Sequence, residues 1–325
     1  MNLLLDNVYT HVSCELTEVD DLIAGCVTGK ESTPLLSEIC GCVLGKAGKR
    51  LRPALVLLAG KCCRGSKKRL VHLAAALELI HMASLVHDDI IDKGMLRRGN
   101  TTVNARWGNH VAVLLGDYFY ARALELAAPL GARINTGLAE LVGDLVRGEF
   151  RQLENRHRHD MTEVDYLNTV SCKTAQFISL CCRLGAELGK SSPQMVNGLS
   201  LYGFYTGMAY QITDDVLDVT GRESVTGKSR GQDLTSGVIT LPVIHALNNG
   251  PDRDQMKKLL IKERLTARET KAIIQFIRLT GSVEYSLGKA RDFIGKAKGS
   301  LQDIPAGKAR DALGLLAEYS CQRVS

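Results

Sequence analysis

HMASLVHDDIID (residues 81–92) decides how this chain reads, together with a second stretch of the same form, QITDDVLD (residues 211–218). Each embeds carboxylates at i, i+1 and i+4 in apolar surroundings: Asp88, Asp89 and Asp92 in the first, Asp214, Asp215 and Asp218 in the second. On a helix, positions i and i+4 lie one above the other, roughly 6 Å apart. Asp88 and Asp92 therefore share a face, and so do Asp214 and Asp218. Apolar surroundings hold that much negative charge only if it is paired, protonated or bound to metal. If the two faces meet, they form a cage of hard oxygen ligands. Such a cage suits Mg2+, which takes one or two carboxylates plus substrate phosphates and waters.

Basic residues follow the first cluster at Arg97 and Arg98, past the expected helix end. Arginine forks match phosphate oxygens, so metal carboxylates followed by guanidinium groups describe a diphosphate site. For one cluster alone, a surface salt-bridge network between Asp and Arg is an equal reading. GKRLRP (48–53) adds three cations in four positions, with Pro53 suited to a first helical turn. Lys173-Thr174 and Gln211 put further polar groups on apolar helices, Gln211 on the face of Asp214. Asp117, Glu149 and Gln152 also interrupt apolar helices and read as supporting groups rather than direct ligands.

Working outward, the pattern is helical throughout. Expected helices cover about 4–28, 33–46, 52–62, 68–92, 101–106, 109–130, 134–155, 162–188, 193–220, 238–248, 252–261, 266–297 and 305–323, and strand alternation is nowhere convincing. No charge block or low-complexity linker divides the 325 residues, so the expectation is one all-α domain spanning 1–325. The polar break at 221–237 follows the second cluster directly and reads as a loop over the site. The apolar run Leu70–Val86 contains His72, Glu78 and His81, and reads as a buried helix rather than a membrane span. MNLLLDNVYT lacks the basic region of a signal peptide.

Composition excludes several classes. Net charge is +6 with the basic residues scattered, and aromatics make up only 5%, which argues against nucleic acid. The ten cysteines make no CxxC pair and read as reduced, in a cytoplasmic protein.

These motifs together resemble the trans-type isoprenyl (polyprenyl) diphosphate synthases, most closely the medium- and long-chain ones. The matching elements are GKRLRP (48–53), HMASLVHDDIIDKGMLRRG (81–99), GDY (116–118), GE..QL (148–153), KT (173–174), QITDDVLDVTG (211–221), GK..GQDL (227–234) and TLP (240–242), in the family's order over about residues 40–245. The resemblance implies an all-α bundle around a central cavity, a homodimer, and Mg2+ at three ions per active site. It implies head-to-tail condensation of isopentenyl diphosphate with an allylic diphosphate (geranyl, farnesyl or geranylgeranyl), by ionisation, condensation and proton elimination. Asp88, Asp92, Asp214 and Asp218 would hold metal, with Asp89 and Asp215 supporting. Arg97, Lys173, Thr174, Gln211 and Lys228 would hold the allylic diphosphate, and Lys49, Arg52, His81 and Arg98 isopentenyl diphosphate. Contact with membranes would be transient at most, during product release.

Two positions depart from the family pattern. Val238 stands where Lys or Asn is usual after Gly237, which predicts weaker allylic binding, and Ala47 breaks a glycine pair before Gly48. Chain length would be set by Ala83 and Ser84, both small, with Ile80, then Leu77 and Ala76, one and two turns back. Each turn adds about 5.4 Å, close to one isoprene unit. Leu141 and Leu145 are possible floor residues. The open first layer, and the lack of a two-residue insertion in the first motif, predict a C30–C50 product such as a quinone side-chain precursor. The alternatives are a geranylgeranyl diphosphate synthase, a non-catalytic regulatory subunit of a heteromeric synthase, and a terpene cyclase. The last is disfavoured by the second full motif and the scarcity of aromatics.

Overall fold

Helical periodicity carries through to the backbone: the computed structural model is 79% helical. It describes residues 3–29, 32–45, 48–97, 99–221, 230–262 and 264–322. The helices are α1 Leu3–Thr10, α2 Ser13–Val27, α3 Pro34–Leu44, α4 Leu51–Cys62, α5 Lys67–Ile91, α6 Val103–Trp107, α7 Asn109–Ala127 and α8 Ala132–Glu154. They continue as α9 Glu163–Val170, α10 Gln176–Glu187, α11 Pro193–Thr220, α12 Gln232–Thr235, α13 Leu241–Asn249, α14 Arg253–Leu260, α15 Ala267–Leu279, α16 Ser282–Gly299 and α17 Lys308–Gln322. Among the described residues the only strands are β1 Leu96–Arg97 and β2 Asn100–Thr101, an antiparallel pair with Leu96 opposite Thr101. Two residues per strand are too few for alternation to show in the sequence.

The boundaries differ from expectation where local chemistry intervenes. The first expected helix breaks at His11-Val12, where the Thr10 hydroxyl donates to the Asn7 carbonyl (2.6 Å) and competes with the helical ladder. The 266–297 helix breaks at Thr280-Gly281. Gly281 takes φ +65°, and the Thr280 hydroxyl donates to the Phe276 and Ile277 carbonyls, so the chain stops as glycine-terminated helices do. The 162–188 helix is interrupted by a π-helical turn, Ser171–Ala175. The expected 221–237 loop contains α12; its residues 222–229, Lys228 included, lie outside the described residues, as do Arg98 and Ala47.

The chain resolves into two compact units. The first comprises Met1–Gly143, Ile178–Gly203 and Ser300–Leu316. Its centre is α5, which packs against α7, α4 and α2. Every residue from Pro53 to Gly60 on α4 is buried, and so is most of Leu70–Ala83 on α5. Helices apolar on all sides belong in a core. The α5 helix is long and apolar enough to cross a membrane, yet it is largely buried inside the protein. Close approach shapes this core too: a Cβ at Gly185 would sit 2.5 Å from the Val56 carbonyl oxygen.

Arg50 ties the entry of α4 to α5. Held at φ +48°, it donates to Asp20 (2.7 Å) and to Glu78 (2.7 Å), with only 10% of its side chain exposed. Within GKRLRP, then, one of the three cations is a structural group.

The second unit comprises Asp144–Phe177, Phe204–Gly299 and Ala317–Ser325. Here α13 packs against α9, α14, α15 and α16. Glu163 on α9 accepts from Tyr285 (2.6 Å) and pairs with Lys289 (2.8 Å), both on α16. The start of α15 is fixed by a capping box: the Thr266 hydroxyl accepts from the Glu269 N–H, and the Glu269 carboxylate accepts from the Thr266 N–H.

Two predictions follow from this packing. Arg50→Ala leaves Glu78 buried without its cation and should cost about 3 kcal/mol in urea unfolding, and adding Glu78→Leu should recover most of the loss. The second concerns acid. A hydrogen bond from Lys262, with those from Thr266, holds the Glu269 carboxyl at about 2 instead of 4.5. A depressed carboxylate stabilises above its unfolded value and stops doing so as pH falls through its folded one. The melting advantage of wild type over Glu269→Gln should therefore be full above pH 4.5 and vanish by about pH 2.

Candidate functional site

The first aspartate cluster closes α5. Asp92 caps the helix, its N–H donating to the Asp88 carbonyl, and Lys93 (φ +51°) turns the chain into the β1–β2 hairpin. That hairpin folds back on the helix end. Arg97 grips Asp89 as a fork, Nε reaching its two oxygens at 2.9 and 3.0 Å and Nη2 lying 2.8 Å from Oδ1. Asn104 donates to the carbonyls of Asp89 (3.2 Å) and Gly94 (3.1 Å), and Thr102 donates to Gly94 (2.7 Å). Asp89 is buried, whereas Asp88 is half-buried and Asp92 exposed. The inward carboxylate thus has its own cation, and the i, i+4 pair lies on the outer face.

His81, Ser84, Asp88 and Asp92 run along that same face of α5, all at least partly exposed. His81 Nε2 lies 3.0 Å from Arg52 Nη1, so two residues expected to bind one substrate are brought together. Lys49 is exposed, and its carbonyl accepts from the Tyr9 hydroxyl. Of the expected chain-length residues, Ser84 is half-buried, its hydroxyl on the His81 carbonyl, whereas Ala83, Ile80, Leu77 and Ala76 are wholly interior. Leu141 is buried in the first unit and Leu145 half-buried in the second. Across α7, His87 rests on Gly116, where a Cβ would sit 2.1 Å from Nε2, which accounts for the glycine of GDY. Asp117 comes within 3.7 Å of that nitrogen. Burial, with Asp88 and Asp117 nearby, pushes the Tyr120 hydroxyl up to about 12.

In the second unit the same division of labour recurs. Asp215 is buried and accepts two hydrogen bonds, from the Tyr166 hydroxyl to Oδ2 (2.5 Å) and from Gln211 Nε2 to Oδ1 (2.8 Å). Burial, with Asp233 and Asp214 nearby, pushes this carboxyl well above the usual range, and the two donors oppose that shift. The Gln211 carbonyl oxygen in turn accepts from the Thr174 hydroxyl (2.8 Å). Asp214 and Asp218 are half-buried. Asp218 accepts main-chain N–H groups of Gln232 (3.1 Å) and Asp233 (3.3 Å), which anchors the start of α12.

Lys173 and Thr174 ride on the π-helical turn, where the Gln176 N–H reaches back to the Ser171 carbonyl. Such turns recur at functional sites. Lys173 Nζ donates to Glu149 (2.8 Å) and Gln152 (3.0 Å). Gly148 lets α8 come this close, since a Cβ there would sit 3.3 Å from the Lys173 nitrogen. Val238 is half-buried, with its N–H on the Asp233 carbonyl (2.8 Å). Gly237 before it takes φ +74° under the ring of His157.

Within each unit, among the described residues, no three carboxylate, imidazole or thiol groups converge closely enough to hold a cation by themselves. A donor set of one or two carboxylates per motif fits a hard ion completed by phosphate and water. Tyr166 is the site residue that sequence reading passed over. Its only sequence signal is its place on the apolar face of the helix leading to Lys173-Thr174, which is indistinguishable from core.

A family model described as polyprenyl synthetase matches residues 33–277. The chain is 38% identical to heptaprenyl diphosphate synthase component 2 of Geobacillus stearothermophilus, covering 98% of this chain and 99% of that one. It is 33% identical to octaprenyl diphosphate synthase of Escherichia coli (strain K12), covering 89% and 90%. Among solved structures, a polyprenyl synthase from Caulobacter crescentus CB15, complexed with calcium and isoprenyl diphosphate, superposes with TM-score 0.94 at 29% identity over 99% and 98% of the chains. Heptaprenyl diphosphate synthase from Staphylococcus aureus gives TM-score 0.90 at 31% identity over 97% and 99%.

The inward and outward carboxylates should separate in denaturation. Asp89→Asn strands the Arg97 fork and should cost about 2 kcal/mol, as expected for hydrogen bonds to a charged group. Asp92→Asn, on an exposed position, should change urea unfolding by less than about 0.5 kcal/mol.

Proposed function

Because the chain belongs to the polyprenyl synthetase family and is a trans-prenyltransferase, we propose that it condenses isopentenyl diphosphate with an allylic diphosphate to an all-trans C30–C50 polyprenyl diphosphate. The observation that carries this reading is the paired division of labour. In both motifs the middle aspartate is engaged by the protein's own donors, and the outer aspartates remain on the more exposed side.

In this reading Asp88, Asp92, Asp214 and Asp218 would hold Mg2+, three ions in all, which would supply positive charge to shield the departing diphosphate. Lys173, Thr174, Gln211 and Arg97 orient the allylic diphosphate, with Lys228 from outside the described residues. Lys173 exchanges its bonds to Glu149 and Gln152 for phosphate oxygens. Arg97 keeps Asp89 on Nε and offers phosphate its Nη1. Lys49, Arg52 and His81, joined by Arg98, fix isopentenyl diphosphate so that its double bond meets the allylic carbon as the C–O bond breaks. The new C–C bond leaves a cation, and a proton is lost from the adjacent carbon to the departing diphosphate.

The C30–C50 assignment rests on small Ala83 and Ser84 before the first motif, with Ile80 behind them, and is supported by heptaprenyl and octaprenyl relatives. A geranylgeranyl product is the alternative, since a geranylgeranyl diphosphate synthase of Methanosarcina mazei is 33% identical. A quinone side chain is the destination such a product suits. We take the chain as one catalytic domain: four unit boundaries fall inside α8, α10, α11 and α17, and a helix does not mark a linker. Ten thiols fit the cytoplasm.

A homodimer is the proposed assembly. Exposed Val113, Leu114 and Leu124 on α7, and exposed Val146, Phe150 and Leu153 on α8, are apolar surface suited to a second copy. A second reading is a catalytic subunit that needs a different partner, because relatives from Geobacillus stearothermophilus and Bacillus subtilis carry the name component 2.

The test is incubation with Mg2+, isopentenyl diphosphate and farnesyl diphosphate, read by mass spectrometry. C30–C50 products are expected. A stop at C20 contradicts the chain-length assignment, and no product from the chain alone, restored by a copurifying partner, selects the second reading.

A further inference from the structure

Residues 252–279, which span α14, α15 and the corner between them, hold eight cations and four carboxylates. These 28 residues of the second unit thus carry +4 of the chain's +6 net charge. Two of the carboxylates are engaged locally: Glu269 pairs with Lys262 (2.6 Å) and Asp254 faces Arg253 (3.9 Å). No described carboxylate pairs with Lys257, Lys258, Arg264, Arg268, Lys271 or Arg278, and all but Lys257 are exposed. An ordinary solvated face intersperses both signs.

The imbalance is sharpest on α15. Its inner face, Thr270, Ile273, Ile274, Phe276 and Ile277, is buried. Its outer face presents Arg268, Lys271, Gln275 and Arg278, spaced three and four apart, with Leu279 ending the same stripe. Leu279 is 78% exposed, the most exposed large apolar side chain among the described residues, and Ile261 at the corner is 55% exposed. The Lys262–Glu269 pair and the Thr266–Glu269 capping box hold that corner against the first turn of α15.

The helix itself gains nothing from Arg268 or Lys271. Arg268 lies in the first turn, where the positive end of a helix disfavours a cation. The two are like charges at i and i+3, which destabilise a helix, and no carboxylate lies three or four residues from either. Cations that weaken their own helix, beside aliphatic groups left in water, describe a surface for an anionic partner. Phe276 is the only aromatic in 252–279, and it is buried, so the face offers no platform for stacked bases. A bilayer suits it better, because its charge is diffuse and its interface accepts Leu and Ile.

Resting on the reading of the product as a long, water-insoluble polyprenyl diphosphate, we propose that the outer face of α15, with Ile261, Lys262 and Arg264, docks the enzyme reversibly on an anionic bilayer. The attraction reaches about 8 Å at physiological salt, and Leu279 and Ile261 enter the headgroup region on contact. The enzyme is then held where its product partitions.

The test is co-flotation of the full-length enzyme, without substrate, with phosphatidylcholine vesicles that contain or lack phosphatidylglycerol. Wild type should bind the anionic vesicles and not the neutral ones. It should come off at about 1 M salt, where screening shortens the reach to about 3 Å. Each cation at an anionic surface is worth about fivefold in partitioning, so the combined variant Arg268→Gln, Lys271→Gln, Arg278→Gln should bind about a hundredfold more weakly. Leu279→Ser should weaken binding roughly tenfold and leave its salt dependence as in wild type. All these positions are exposed and outside the candidate site, so both variants should condense farnesyl and isopentenyl diphosphates in detergent at the wild-type rate.

Absence of vesicle binding, equal binding to neutral vesicles, or binding that survives the triple substitution overturns the proposal. Displacement from the vesicles by single-stranded RNA at equal phosphate concentration, with Leu279→Ser without effect, would assign the face to nucleic acid instead. Flotation is read without turnover, so failure of wild type to condense its substrates would count against the functional assignment alone.

Discussion

Carboxylates cannot sit in apolar helices unless something answers their charge, and this constraint organises the molecule around both motifs. At each motif the problem is met twice. The middle aspartate turns inward and is met by protein donors: the Arg97 fork for Asp89, and Tyr166 with Gln211 for Asp215. The outer aspartates are less buried, within reach of solvent, cations and substrate phosphates, and Asp218 also accepts the main-chain N–H groups of Gln232 and Asp233. The inner pairing fixes the helix end; the outer residues inherit its geometry.

Much of the local architecture follows from this arrangement. The β1–β2 hairpin exists to return Arg97 to Asp89, and Lys93 and Asn104 make that return possible. The π-helical turn carries Lys173 toward Glu149 and Thr174 toward Gln211, and Gly148 provides the clearance. Asp218 binds the start of α12, so the second motif also anchors the chain that follows it.

The helical class and most helix positions were legible because long apolar runs leave little choice of period, as in α5 and α11. The aspartate motifs were legible because carboxylates at that spacing in apolar sequence have few other uses. Three features were not. The hairpin is too short to alternate. The π-helical turn, which α8 passes closely at Gly148, carries no sequence code of its own. Tyr166 looks like core until its hydroxyl is placed on Asp215. The reverse happened in GKRLRP, where three cations read alike: Arg50 is consumed by Asp20 and Glu78, and Arg52 lies beside His81. Small Ala83 reads from sequence as open wall, yet it is wholly buried, and of the chain-length residues on α5 Ser84 is the one left partly exposed.

Among the described residues, neither unit by itself gathers three ligating groups, so in the proposed reading metal and diphosphate complete each other. Calorimetric titration of Mg2+ into the enzyme, with and without inorganic diphosphate, tests it most directly. The account predicts binding that is weak for Mg2+ alone, weak for diphosphate alone, and strengthened manyfold when both are present. Tight Mg2+ binding by the enzyme alone, or diphosphate binding indifferent to Mg2+, would contradict it.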